Sequence, residues 1–309
     1  MPGKIRFNTD LVDDLARRKV ILFLGAGVSA SAVTATKGRI AGWEAFLLKA
    51  ADKLPSTTRK QVVALIRKSK DYLLACEILQ SALDSEWVDI VAEEFGQVAP
   101  PSALHKSLLS LRQRIVITTN FDKIFENAWG DLPEVGTYYP TVISAIDQDV
   151  FRILKDHKKS YVLKIHESVD DPKSMIFSRS EYIRMAFGNV EYSSFIENLL
   201  LNYTFMYVGF SMDDPAITSL MEMYALRYPT ARPHYFVTPA GVPDNIAGIH
   251  KRLRKLVVMP YSGPKDHSGL PKMLDELVIA VNQARKEIMA ADLASLSSGS
   301  SQVAYPHLA

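Results

Sequence analysis

Cysteine is nearly absent: Cys76 stands alone among 309 residues, so the chain can close no internal disulfide and build no four-thiolate zinc cage. Its surroundings, DYLLACEIL, follow the apolar stripe of a helix, and the thiol reads as a buried core group rather than a nucleophile. An excess of either charge is missing too. With 36 Lys and Arg against 34 Asp and Glu the formal net charge is +2, whereas DNA and anionic membranes usually call for a clustered basic excess, so neither is an expected partner. The basic run from His250 to Lys255 is short and reads as a solvated helix or loop face. No apolar run is long enough to span a bilayer, and the N-terminal MPGKIRFNTDLVDD lacks the apolar core of a signal peptide; the expected location is the cytoplasm. The histidines show neither H-E-x-x-H nor paired Cys/His spacing, which argues against a metal. A G-x-S-x-G elbow and a P-loop lysine are also lacking, so esterase and nucleoside triphosphatase chemistry have no anchor. The pairs Asp170-Asp171 and Asp213-Asp214 read as loop and cap residues rather than a two-carboxylate device.

What the chain does have is 48% hydrophobic residues, enough for a large core that needs no staples. Short runs that are apolar over nearly their whole length alternate with helical patterns, the arrangement of a parallel sheet covered by helices on both faces. Strands are expected at Val20 to Leu24, Arg114 to Thr118, Tyr161 to Ile165, Thr204 to Val208, His234 to Thr238 and Leu256 to Met259. Between the first two lies a long stretch, about Trp43 to Leu111, with helical spacing and few strand signals. It reads as a helical subdomain inserted into an α/β core, leaving a cleft between the two layers as a natural ligand site. Ser102 is a candidate N-cap for ALHKSLLSL. A last helix from Pro271 to Met289 leads into a Ser-rich segment, so residues 286–309 are expected to hold a helix end and a mobile tail after a main domain of residues 1–285.

The first strand runs into Gly25-Ala26-Gly27-Val28-Ser29-Ala30, which fits G-x-G-x-x-A after a strand. Small residues there let backbone approach a pyrophosphate and let helix amides face its charge. The same glycines could equally serve a tight strand-to-helix turn. Three other strand ends carry polar groups: Asn120 and Asp122 after RIVIT, His166 after YVLKI, and Gly209, Ser211, Asp213 and Asp214 after TFMYV. Asp122 and Asp213 could simply cap the helices that follow. Together these residues place Asn, His, Ser and a second glycine loop on one rim of one sheet, the pattern of a nucleotide site.

FLGAGVS, TTNFD, KIH and GFSMDDP, in that order, resemble the sirtuin superfamily, and most of all the bacterial sirtuin-like effectors of antiphage defence. The resemblance implies a Rossmann-like parallel sheet flanked by helices, with NAD bound as substrate in a cleft beside the smaller unit and no metal required. It also assigns roles. Gly25, Ala26, Gly27 and Ser29 match the phosphate loop, Asn120 and Asp122 the nicotinamide-ribose motif, His166 the catalytic histidine, and Gly209 and Ser211 the adenosine side. Trp43 matches an aromatic that follows the first loop in the defence branch.

The implied reaction is hydrolysis of the nicotinamide-ribose bond to nicotinamide and ADP-ribose, with catalysis by Asn120 and His166. Unrestrained NAD loss would kill the host. Control by homo-oligomerisation and a separately encoded partner, such as a HerA-type ATPase, is therefore implied. Two departures from the family stand out. SAVTATKGRIAGW replaces the G-I-P-D-F-R segment of protein deacetylases and the four-cysteine zinc module is missing, which weighs against deacylation. In addition, Glu167 follows His166 where defence relatives have Gly. The rival readings are a catalytically weak subunit that binds NAD or ADP-ribose for assembly, and an NAD-dependent deacylase or ADP-ribosyltransferase.

Overall fold

A computed structural model describes residues 6–34, 38–131, 139–212, 214–263 and 266–299. After the short helix α1 (Thr9–Ala16), capped by the Asn8 side chain, the first apolar run forms β1 (Val20–Leu24), buried at every position. One helical turn, α2 (Ala26–Ser29), follows directly. The helical stretch resolves into α3 (Trp43–Ala51), α4 (Ser56–Ala64), α5 (Tyr72–Leu83), α6 (Ser85–Phe95) and α7 (Ala103–Ser110). Then come β2 (Ile115–Thr118), α8 (Ile124–Ala128), β3 (Thr141–Ile143), β4 (Tyr161–Lys164), α9 (Arg179–Ile183) and α10 (Val190–Asn202). The chain continues through β5 (Thr204–Val208), α11 (Pro215–Arg227), β6 (His234–Pro239), α12 (Asp244–Arg254) and β7 (Leu256–Tyr261), and ends in α13 (Gly269–Gly299).

The strands make one seven-stranded sheet in the order β3-β4-β2-β1-β5-β6-β7, parallel throughout. The order reverses at β1, which pairs with β2 on one side and β5 on the other. At such a switch point the loops leaving the strands diverge to opposite faces and open a crevice beyond the carboxyl ends. Alternate side chains of each central strand feed two cores, one per face. Ile21, Phe23, Ile117 and Tyr207 pack toward α9, α10 and α11, while Leu22, Val116, Val162 and Met206 pack toward α1, α7 and α13.

A third core lies away from the sheet. Helices α3 to α6 close around Phe46, Leu79, Trp87 and Val91, joined by Phe121, Met175 and Phe177 from the loops after β2 and β4. Helix α7 belongs instead to the sheet, burying Leu104, Leu108 and Leu109 on the α13 side. Its N-cap is Ser102, in a reciprocal capping box with His105.

Two elements differ from the sequence expectation. β3 is an edge strand of three residues, largely exposed, with no apolar alternation to announce it. α13 runs to Gly299, well beyond Met289: the Ser residues that suggest a tail are tolerated in a helix already nucleated by its buried first half, through Leu274, Leu277 and Val281. Among the described residues no helix is long and apolar enough to cross a membrane.

Candidate active site

The loops after β1 and β5 meet backbone to backbone. The Gly25 N–H donates to Val208 O at 3.0 Å and the Gly27 N–H to Gly209 O at 2.9 Å. A Cβ on Gly25 would lie 2.4 Å from Gly209 O, and one on Gly27 would lie 3.0 Å from Gly209 Cα. Gly209 has φ +64°, and a Cβ there would lie 2.7 Å from Val28 N. All three glycines are thus required by this contact, and two of their amides are committed to it. What Ala26, Gly27 and Gly209 offer the cleft they line is bare backbone and one small side chain. Gly25→Ala is expected to lose about 1–3 kcal/mol of stability through overpacking against immobile backbone, measured by denaturant unfolding.

Asn120 ties the first loop to the end of β2. Its Nδ2 donates to Gly25 O at 3.0 Å and to Ser29 Oγ at 2.8 Å, while its own N–H donates to Thr118 Oγ1. Both donors being fixed, Oδ1 is the acceptor that the side chain brings to the recess it lines with Ala26, Trp43 and Phe121. Phe121 anchors this loop, its ring 4.5 Å from Phe177 and 5.1 Å from Phe95 in the helical unit. Asp122 is buried, and its Oδ1 accepts from Ile124 N at 3.0 Å; it both borders the recess and fixes the turn that leads into α8. Beneath the loop lies Lys164, fully buried, with Nζ donating to Asp122 O and to Glu126 Oε1, the latter at 2.7 Å.

His166 sits just past β4 with 2% of its surface exposed. Nδ1 lies 3.2 Å from Tyr182 Oη. Nε2 lies 3.2 Å from Asp214 Oδ2, without the alignment of a hydrogen bond and closed to solvent. Burial pushes the imidazole pKa down and the Asp214 carboxylate partly offsets this, which favours the neutral ring that a base needs.

Glu167 is not on an extended segment: at φ +71° it occupies the left-handed region, in a turn closed by its N–H to Lys164 O. A glycine would adopt that backbone without strain. Glu167 does not line the cleft beside His166. Burial, followed by the Asp171 charge, raises its carboxyl to about 7. The folded state therefore holds a proton that the unfolded chain releases near its ordinary value of 4.5, and stability is lost as pH rises from there through about 7. Glu167→Gln should remove that loss, so its stability advantage over wild type should be larger at pH 8 than at pH 5 in paired urea titrations.

The cleft is about 830 Å³, bounded by both glycine loops, Thr119, His166, Ser211 and Asp214 on the sheet side. The other wall holds Trp43, Lys70, Asp71 and Tyr72 from the helical unit, with Arg179 and Tyr182 from α9. Arg179 is held by Asp71 at 2.7 Å and Lys70 by Glu44 at 2.7 Å. Every sequence-derived candidate except Asn120, Asp122 and Ser29 lines this cleft or its glycine contact, and those three line the adjoining recess shared through Ala26, Trp43 and Thr119. Asp213 lies outside the described residues, and Asp214 is the residue that caps α11, through Ile217 N at 3.1 Å. Lys70, Arg179 and Tyr182 escaped the sequence reading, since nothing in KSKDY or SRSEY marks a ligand wall. Cys76 is buried with its thiol pushed well up by desolvation, as a core group should be. Among the described residues no group of His, Cys, Asp and Glu is gathered as for a metal ion.

The SIR2-like domain family matches residues 114–256, which include Asn120, His166 and the second glycine loop. An NAD(+) hydrolase ThsA from Cytobacillus dafuensis is 25% identical over 215 residues, covering 69% of this chain and 40% of that protein. Another ThsA, from Enterococcus faecium, is 30% identical over 164 residues, covering 50% of this chain and 32% of its own. Defense-associated sirtuin 2 of Bacillus subtilis is 23% identical over 218 residues, covering 69% of this chain and 20% of that protein. The chain thus spans less than half the length of these relatives. With its parallel sheet and its two glycine loops, the chain is similar to these sirtuin-like proteins, and its residues 114–256 match the SIR2-like domain family.

Proposed function

We propose that the chain hydrolyses NAD, cleaving the nicotinamide-ribose bond to release nicotinamide and ADP-ribose, as an effector of antiphage defence acting by NAD depletion. The observation that carries this reading is the convergence of two glycine loops and His166 on one cleft that adjoins an aromatic recess lined by Asn120. Relatives named NAD(+) hydrolase support it. Departure of nicotinamide leaves positive charge on the ribose, so the site must hold the diphosphate still, seat the ring and place a water in line. The bare backbone of Ala26, Gly27 and Gly209 admits the diphosphate, with Ser211 toward the adenosine. Trp43 and Phe121 flank the ring. Asn120 Oδ1 positions the water or a ribose hydroxyl, and His166 takes the proton. Such an activity needs restraint, for which we propose homo-oligomerisation and a separately encoded partner of the HerA ATPase kind.

Incubating the purified chain with NAD labelled in the adenosine tests this. Free labelled ADP-ribose with an equal amount of nicotinamide is the expected result. Label on protein would mean transfer, and intact NAD with measurable calorimetric binding would mean a binding subunit.

A further inference from the structure

The sheet side of the cleft offers an anion room but little charge. The N–H groups of Gly25, Gly27 and Val28 donate to Val208 O, Gly209 O and Gly25 O, so the first loop spends them within the fold. α2 is a single turn, too short for an appreciable helix dipole. Burial lowers the pKa of His166 and so favours its neutral ring, and Asp214 brings a carboxylate to the same wall. A diphosphate seated there finds space and no cation.

Among the described residues that line the cleft, Lys70 and Arg179 are the only permanent cations, and both stand on the opposite wall. We propose that Arg179 and Lys70 bind the diphosphate of the substrate, forming a cationic wall that faces the glycine loops. The inference deepens the NAD reading and rests on it.

Both cations are placed by the chain and held in a way that leaves them usable. Arg179 Nη2 donates to the two oxygens of Asp71, at 2.7 and 2.8 Å. Among the described residues its Nε and Nη1 bond to nothing, and that pair of nitrogens is the fork that fits phosphate oxygens. Lys70 follows the π-helical turn Leu65–Ser69, and its Nζ donates to Glu44 Oε2 at 2.7 Å, which leaves further N–H groups for an anion. Three of these four side chains are about half exposed or nearly so, and exposed ion pairs contribute little, so either cation can turn toward a phosphate at small cost. Such a turn would not undock α9 from α5. Ser180 donates to Glu77 through its N at 3.1 Å and its Oγ at 3.0 Å, and Gln80 Nε2 donates to Glu181 at 3.3 Å. Nor would it release Asp71, which caps α5 by accepting from Leu74 N at 3.1 Å. Asp71 lines the cleft as well, so its charge competes with a bound phosphate for the arginine.

Calorimetric titration of the full chain with ADP-ribose, run beside NAD turnover, tests the proposal. Arg179→Gln should bind ADP-ribose about tenfold more weakly. Lys70→Gln should lose about threefold, and in both variants affinity should depend less on salt. Asp71→Asn keeps an oxygen for Leu74 N and removes the competing charge, so binding should tighten about threefold. That gain should vanish when Arg179→Gln is added; a wall with a merely structural role gives no gain to lose. With NAD as substrate, Arg179→Gln should raise KM and leave kcat nearly unchanged. Affinity for ADP-ribose that is the same in Arg179→Gln as in the wild type, or that Asp71→Asn fails to tighten, overturns the proposal, as does a wild type that binds no ADP-ribose. A wild type that binds ADP-ribose with these dependences and leaves NAD intact upholds the cationic wall and defeats only the assigned reaction.

Discussion

Lys164→Met is expected to cost about 3–5 kcal/mol of folding stability, because it leaves Glu126 as a nearly buried carboxylate without its cation. The ammonium is completely buried, and Glu126 keeps only 11% of its side chain exposed. The carbonyl of Asp122 loses its donor in the same stroke, adding the penalty of an unsatisfied buried acceptor. Because that carbonyl belongs to the Asn120-to-Asp122 loop, the substitution should loosen the recess as well as the fold. Urea unfolding measures the first effect. The double variant Lys164→Met with Glu126→Gln should regain much of the loss, since no stranded charge remains; a double variant no more stable than the single one would show that the pair is not the cause.

Asn120→Ala is expected to reduce NAD turnover at least about 100-fold, since a shift of the reacting groups by about 1 Å costs that much. Alanine removes the acceptor Oδ1 and both bonds from Nδ2, freeing the first glycine loop from β2. The Ser29→Ala variant separates the two effects, since it deletes one of those bonds and leaves the acceptor in place. Its turnover should fall far less. Similar losses in both variants would mean that Asn120 serves only the loop.

The sheet was legible because strands buried on both faces must be apolar over nearly their whole length, and VILFL, TFMYV and HYFVT satisfy that with no competing periodicity. β3 was not, since an exposed edge strand of three residues is under no such demand. Asn120, His166 and the glycines could be read because strand ends are where an open parallel sheet presents ligand groups. Their reasons were less legible: the contact of Gly25 and Gly27 with Gly209 is made between segments far apart in sequence, and only the fold shows that the glycines answer to each other. Nothing in YVLKI marks Lys164, which carries the loop above it. Asp214 could be read as a cap, and it is one, but nothing local shows that its second oxygen faces His166. Glu167 gives the opposite lesson, because a residue that looks like damage to the catalytic motif occupies a left-handed turn away from the cleft.

The most direct measurement of the central claim is the time course of NAD and its products with the purified wild-type chain and with His166→Ala, run side by side at saturating NAD and separated by chromatography. The account predicts nicotinamide and ADP-ribose in equal amounts from the wild type, and no products above the spontaneous rate from the variant once its fold has been verified by circular dichroism. Undiminished hydrolysis by His166→Ala would contradict it.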